Sequence, residues 1–234
     1  VPLTHYLSSS QSLQLLTIEG DGTATNNQSI SSILESVSRN KLLKKLTLSK
    51  IVFARPSLVE KVLARTPTLT ELKIVDTCRQ TSEVYHAFRS GFQSNSTLEK
   101  LDWTSTTRSA CVEEVFLGIS NHPKLKTLVL DVNLTRASYQ AQALRSCLCA
   151  NETIDYFSLR LLHAEKDKYS TLEPVLLGLA CNRGVTHFHM WGSNLGHSRT
   201  SCTTAWIELL QTNTSMKILE LSGSYSIGSE DASA

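Results

Sequence analysis

The sequence predicts an α/β solenoid of about eight repeats of roughly 29 residues, with parallel strands on a concave face and helices on a convex face. Three observations predict it. A hydrophobic ladder, L-x-x-L-x-L, recurs eight times, a second apolar register runs at a fixed distance upstream of each ladder, and asparagine recurs at one position between the two. A unit this short can bury its apolar face only against its neighbours, so repetition at this period is itself an architectural signal.

The ladders are Leu13/Leu16/Ile18, Leu43/Leu46/Leu48, Leu69/Leu72/Ile74, Leu98/Leu101/Trp103, Leu125/Leu128/Leu130, Ile154/Phe157/Leu159, Val185/Phe188/Met190 and Met216/Leu219/Leu221. Their first residues are 30, 26, 29, 27, 29, 31 and 31 residues apart. The alternating end of each ladder has the period of two that marks a half-buried strand.

Helices are predicted upstream. Six residues before each ladder after the first stand Val37, Leu63, Phe92, Ile119, Leu148, Leu179 and Leu210. Ten residues before stand Ile33, Val59, Phe88, Val115, Leu144, Val175 and Trp206. Positions four apart share a helix face. Ile30, Ile33, Leu34 and Val37 complete the i, i+3, i+4, i+7 stripe, as do Leu172, Val175, Leu176 and Leu179.

The turn from helix to strand is predicted three residues before the ladder. Asn40, Asn95, Asn151, Asn182 and Asn213 hold that position, with Thr66 and His122 as departures. Asparagine tolerates the left-handed conformation that ends many helices, which is the expected reason for its recurrence. Helix-to-strand spacing is constant, so all length variation falls in the segment after the strand.

These ladders and their helical register resemble the leucine-rich repeat family, in its longer, helix-containing, ribonuclease-inhibitor-like form. The resemblance covers roughly Ser12 to Leu221. It implies a recognition surface without naming a ligand, because the family includes inhibitors, immune sensors, ubiquitin-ligase substrate receptors and GTPase activators. The family usually carries asparagine three residues after the last ladder position. Here those positions read Asp21, Ile51, Thr77, Thr106, Asn133, Leu162, Ser193 and Ser224, so that asparagine ladder is expected to be largely missing.

The predicted organisation is a partial repeat or cap over 1–11, the array over 12–221 and a polar tail over 222–234. Hydrophobic content of 41% suffices for a continuous core. No apolar run reaches the ~18 residues of a membrane span. A net charge of +2 is too small to argue for nucleic acid or an anionic membrane. The chain begins at Val1 rather than Met and is expected to be a fragment of a longer protein. Its last strand, Met216 to Leu221, is expected to present an uncovered edge and to favour self-association through the C-terminal repeat.

The cysteines are Cys78, Cys111, Cys147, Cys149, Cys181 and Cys202. None forms C-x-x-C or a zinc spacing, so free thiols in a reducing, cytoplasmic setting are expected. Five N-x-S/T sequons stand at Asn27, Asn95, Asn133, Asn151 and Asn213, and three of them are turn asparagines.

Residues between the ladder positions point outward. The sixth and seventh repeats gather Tyr156, Arg160, His187, His189 and Trp191 there, and these form the candidate partner-binding site. Tyr, Trp and Arg bury much area yet keep a polar handle, which suits interface anchors. The longest post-strand segments, Arg160 to Thr171 and Trp191 to Cys202, flank them. Two catalytic arrangements are conceivable on the same strands. His187 and His189 could hold a metal with Asp155 or Asp131, but no third ligand is well placed. Ser158, His189 and Asp131 have the types of a nucleophile, base and orienter, yet no nucleophile elbow or oxyanion hole accompanies them. The expected function is therefore non-catalytic recognition of a protein partner, with no cofactor and no metal. The alternatives are a GTPase-activating protein using Arg55, Arg108 or Arg160, and a glycosylated extracellular receptor fragment.

Overall fold

Each ladder ends in a strand and each upstream stripe in a helix. The computed structural model describes residues 3–23, 27–76, 80–105, 111–132, 137–161, 169–191 and 201–222. The strands are β1 (Leu15–Glu19), β2 (Lys45–Ser49), β3 (Glu71–Val75), β4 (Lys100–Ser105), β5 (Thr127–Val132), β6 (Tyr156–Leu161), β7 (His187–Trp191) and β8 (Ile218–Ser222). The helices are α1 (Leu3–Ser9), α2 (Asn27–Val37), α3 (Pro56–Arg65), α4 (Ser82–Ser94), α5 (Glu113–Ile119), α6 (Ala137–Ala150), α7 (Tyr169–Cys181) and α8 (Ser201–Thr212). The strands form one sheet in sequence order, and every neighbouring pair is parallel. The chain folds as a leucine-rich-repeat solenoid.

The register confirms the ladder alignment residue by residue. Leu16, Leu46, Leu72, Leu101, Leu128, Phe157, Phe188 and Leu219 lie side by side across the sheet. From the second to the seventh repeat, all three ladder residues are buried. The core runs unbroken between sheet and helices. Its aromatic centre is Trp103, whose ring meets Phe88 edge-on at 4.9 Å, while Phe157 stacks on Phe188 at 5.4 Å.

The helical register is buried through the middle of the array, with Val59, Phe88, Val115, Leu144 and Val175 all inside. The end helix departs from expectation. Leu210 is 67% exposed, and Leu209 takes the inward place. The described part of α8 packs against α7 on one side, so only the half of its stripe facing that neighbour is covered.

A third register escapes a search for apolar residues. Gly91, Gly118 and Gly178 each stand seven residues before a ladder. A Cβ at Gly118 would lie 3.0 Å from Arg89 Cα, and one at Gly178 would lie 3.0 Å from Arg145 Cα. Their lack of a side chain lets successive helices meet backbone to backbone.

The turn asparagines are where the sequence places them, but for a different reason. Asn95 is extended, at φ −86 and ψ 134, rather than left-handed. What matters is the side chain. Asn182 Oδ1 accepts from the N–H groups of Gly184 and Val185 at 2.9 and 2.6 Å, closing its own turn. Its Nδ2 donates to Leu148 O and Asn151 O of the previous repeat at 2.6 and 2.7 Å. Asn40, Asn95, Asn151 and Asn213 repeat this pattern, reaching back to Leu7 O, Leu63 O, Ile119 O and Leu179 O. An asparagine ladder therefore exists, at the helix-to-strand turn. A second ladder of hydroxyls runs beside it, in which Thr68, Thr97, Thr153 and Ser215 donate to Leu43 O, Leu69 O, Leu125 O and Val185 O.

The two departures behave differently. Thr66 is buried with its hydroxyl unbonded, and a backbone bond from Leu69 N–H to Thr66 O at 3.2 Å spans the turn. His122 imitates asparagine. Its Nδ1 accepts from Lys124 N–H at 3.3 Å, and its Nε2 lies 3.4 Å from Asn95 Oδ1. Burial pushes its imidazole from the ordinary 6.5 down to about 4. The unfolded chain takes up this proton near 6.5, and the folded chain only near 4. Between those values the unfolded state binds more protons, so the contribution of His122 is full above about 6.5 and is lost as pH falls towards 4. His122→Asn should reduce the difference between urea stabilities measured at about pH 7 and about pH 5. An identical pH difference in wild type and variant would show that His122 does not carry it.

Candidate functional site

Strands β6 and β7 bring the predicted anchors together on the outer face of the sheet. The parallel register sets Tyr156 beside His187, Ser158 beside His189 and Arg160 beside Trp191. The side chains then interlock. The Tyr156 and His187 rings meet edge to face at 4.8 Å. The His189 and Trp191 rings do the same at 6.2 Å. The Arg160 guanidinium sits 5.3 Å from the Trp191 ring centre, in cation–π range. Trp191 remains 47% exposed.

Carboxylates bracket this cluster. Arg160 Nη1 lies 3.4 Å from Asp131 Oδ2 on β5. His187 Nε2 lies 3.1 Å from Glu220 Oε2 on β8, without the alignment of a hydrogen bond. The Asp131 carboxyl is held above the usual carboxylate range, chiefly by burial, with Arg160 pulling the other way and Asp102 and Asp76 adding repulsion. Its Oδ1 is buried without a hydrogen-bond partner. Arg160 is thus aimed by Asp131 on one side and Trp191 on the other. None of this network was readable beyond the adjacency of its members, because the angle at which rings meet depends on rotamers.

His189 Nε2 lies 3.2 Å from Ser222 Oγ on β8, and Asp131 is engaged by Arg160. Among the described residues, no group of three His, Cys, Asp or Glu side chains is placed to hold a metal ion. For the GTPase-activating alternative, Arg160 is committed to its neighbours, Arg55 is the exposed residue preceding α3, and Arg108 lies outside the described residues. Most of both long post-strand segments, together with Asn133 and Cys78, also lies outside them.

The first half of the outer face has a different character. Its charges cancel across neighbouring strands, as in Lys45–Glu71 at 2.7 Å and Lys73–Asp102 at 2.8 Å. Surface pairs of this kind add little stability. The C-terminal end has a third character. Ile207, Leu210, Ile218, Leu219 and Leu221 are all exposed there, as a repeat with no described neighbour requires.

Among the described residues, no helix is long and apolar enough to cross a membrane. The sequons divide in a way that bears on compartment. Asn95, Asn151 and Asn213 use their Nδ2 atoms inside the turns, and the hydroxyls of Thr97, Thr153 and Ser215 are also bonded there. A glycan on Nδ2 would take a hydrogen from these bonds and force a sugar into a packed turn. Of the other two sequons, Asn133 is undescribed and Asn27 opens α2.

No family model matches the chain, and no curated protein matches it. Similar solved structures include the tropomodulin C-terminal domain from Caenorhabditis elegans. It is 14% identical and aligns over 75% of this chain and 90% of that one, with a TM-score of 0.43. They also include the leucine-rich-repeat-containing protein LegL7 from Legionella pneumophila. It is 13% identical and aligns over 89% of this chain and 73% of that one, with a TM-score of 0.48. Neither likeness bears on activity.

Proposed function

We propose that this chain is a non-catalytic protein-recognition module whose contact surface is the outer face of β6 and β7. The observation that carries this reading is Trp191. It is nearly half exposed on a sheet face, yet oriented by Arg160 and His189. An indole fixed in place before binding loses little freedom on association and still buries a large area. Tyr156, His187 and Arg160 extend the surface with polar edges, giving an apolar centre with a hydrogen-bonding rim. The bonded turn asparagines support an intracellular, cytoplasmic setting over a glycosylated extracellular one.

The test compares baits. Wild-type chain, Trp191→Ala, Tyr156→Ala and Thr17→Ala are used for capture from the native cell, with quantitative mass spectrometry of what is retained. A true partner should bind Trp191→Ala or Tyr156→Ala at least about 2 kcal/mol more weakly, roughly a thirtyfold loss. Thr17→Ala, at the far end of the same face, should be near neutral. A partner retained by both aromatic variants and lost from Thr17→Ala would move the recognition surface to the amino-terminal repeats.

A further inference from the structure

Two thiols meet behind the strands that carry the surface patch. Cys149 is the penultimate residue of α6, and Cys181 is the last residue of α7. Both are exposed, and the two thiols influence one another electrostatically. Cys149 Sγ also lies 3.8 Å from Gly178 O. The contact depends on the helix approach at Gly178, where a Cβ would lie 3.0 Å from Arg145 Cα and 3.1 Å from Arg145 O. Any larger residue would hold α7 away from α6. The other described cysteines are placed differently. Cys147 and Cys202 are buried and Cys111 is half-buried, and burial pushes the Cys147 thiol up to about 12. Among the described residues, Cys149 and Cys181 combine exposure with a place at the ends of two packed helices.

We propose that Cys149 and Cys181 form a reversible disulfide joining α6 to α7, with a low-molecular-weight disulfide such as oxidised glutathione as the oxidant. The Cys181 thiolate attacks one sulfur of the oxidant. The oxidant's S–S bond breaks, one glutathione thiolate leaves and takes a proton, and a mixed disulfide remains on Cys181. The Cys149 thiolate then attacks the Cys181 sulfur and expels the second glutathione, which takes the second proton. Two protein thiols are oxidised, and one glutathione disulfide is reduced to two thiols. Burial, helped by the Cys181 contact, pushes the Cys149 thiol up to about 11, which assigns it the later and slower step. Because Cys149 Sγ already reaches the last turn of α7, which ends in Cys181, closing the bond calls on side-chain rotation. The bridge would tie together the two helices that lead into β6 and β7, so it would staple the repeats carrying Tyr156 and Trp191.

The whole folded chain is equilibrated in glutathione buffers of increasing oxidising strength, alkylated and mapped by mass spectrometry without reduction. The expected product is lighter than the reduced chain by two hydrogens and carries no glutathione. Alkylation should be lost at Cys149 and Cys181 together, and one linked peptide pair should contain both. Cys149→Ser should instead hold glutathione on Cys181. The wild-type map stands whether or not the serine variant folds. A wild-type chain that stays reduced across the series overturns the proposal. So does a link to any other cysteine, or a glutathione adduct that persists on Cys181 beside a free Cys149.

Discussion

Val115→Asp should unfold the middle of the array. Val115 is fully buried in α5 and belongs to the register ten residues before the ladder, which is apolar in every repeat that has it. Its surroundings are apolar, and an unpaired carboxylate there costs several kcal/mol in order of magnitude. Whole domains are commonly stable by only about 5–15 kcal/mol. The effect should spread, because each repeat is stabilised mainly by its two neighbours and α5 stands between α4 and α6. A thermal melt followed by circular dichroism should show a large drop in midpoint or no cooperative transition. A midpoint equal to that of wild type would mean that position 115 is not in the core.

Asn182→Ala should cost about 3 kcal/mol or more, well above a typical surface change. The side chain is 1% exposed and makes four hydrogen bonds, two within its turn and two to the previous repeat. Alanine leaves two N–H groups and two carbonyls without those partners in a site that excludes water. Asn182→Asp should not rescue it, because a carboxylate cannot donate to Leu148 O and Asn151 O. Asn182 is followed by Arg183 and Gly184 and is not a sequon, so its loss reports on the turn free of any glycan effect. Equilibrium urea unfolding measures the cost. A loss below about 1 kcal/mol would show that backbone bonds alone hold the turn.

The repeat, its register and its parallel order were legible because a period near 29 leaves one alignment in which the ladder residues of all the inner repeats are buried. The asparagine position was legible for the same reason, but its role was not. One residue type serves two ends, a left-handed backbone or a side-chain bridge, and spacing does not separate them. Leu210 was misread because a stripe is buried on both flanks only when the helix has two neighbours. In the candidate site, adjacency followed from register, so Arg160 and Trp191 could be set side by side before any coordinates. In the sequence, the Asp131 carboxylate that aims Arg160 stands only as a conceivable triad member or metal ligand. The Cys149–Cys181 contact was invisible, since the two stand at different distances from their ladders, five residues and four. Their meeting depends on how far α7 settles onto α6 at Gly178.

The asparagine and hydroxyl ladders also have a direction. Across every junction but the one at His122, these side chains donate from the later repeat to a carbonyl of the earlier one. During synthesis the earlier repeat of each pair emerges first and displays the carbonyls that these side chains will meet. Each following repeat then arrives with its own donors and docks onto a surface already made. Assembly can therefore proceed one unit at a time behind the ribosome, without waiting for distant parts of the chain. The stack is polar in the sense that a growing filament is polar. Within it, the carboxyl-terminal side of each unit offers the carbonyls, and the next unit brings the donors.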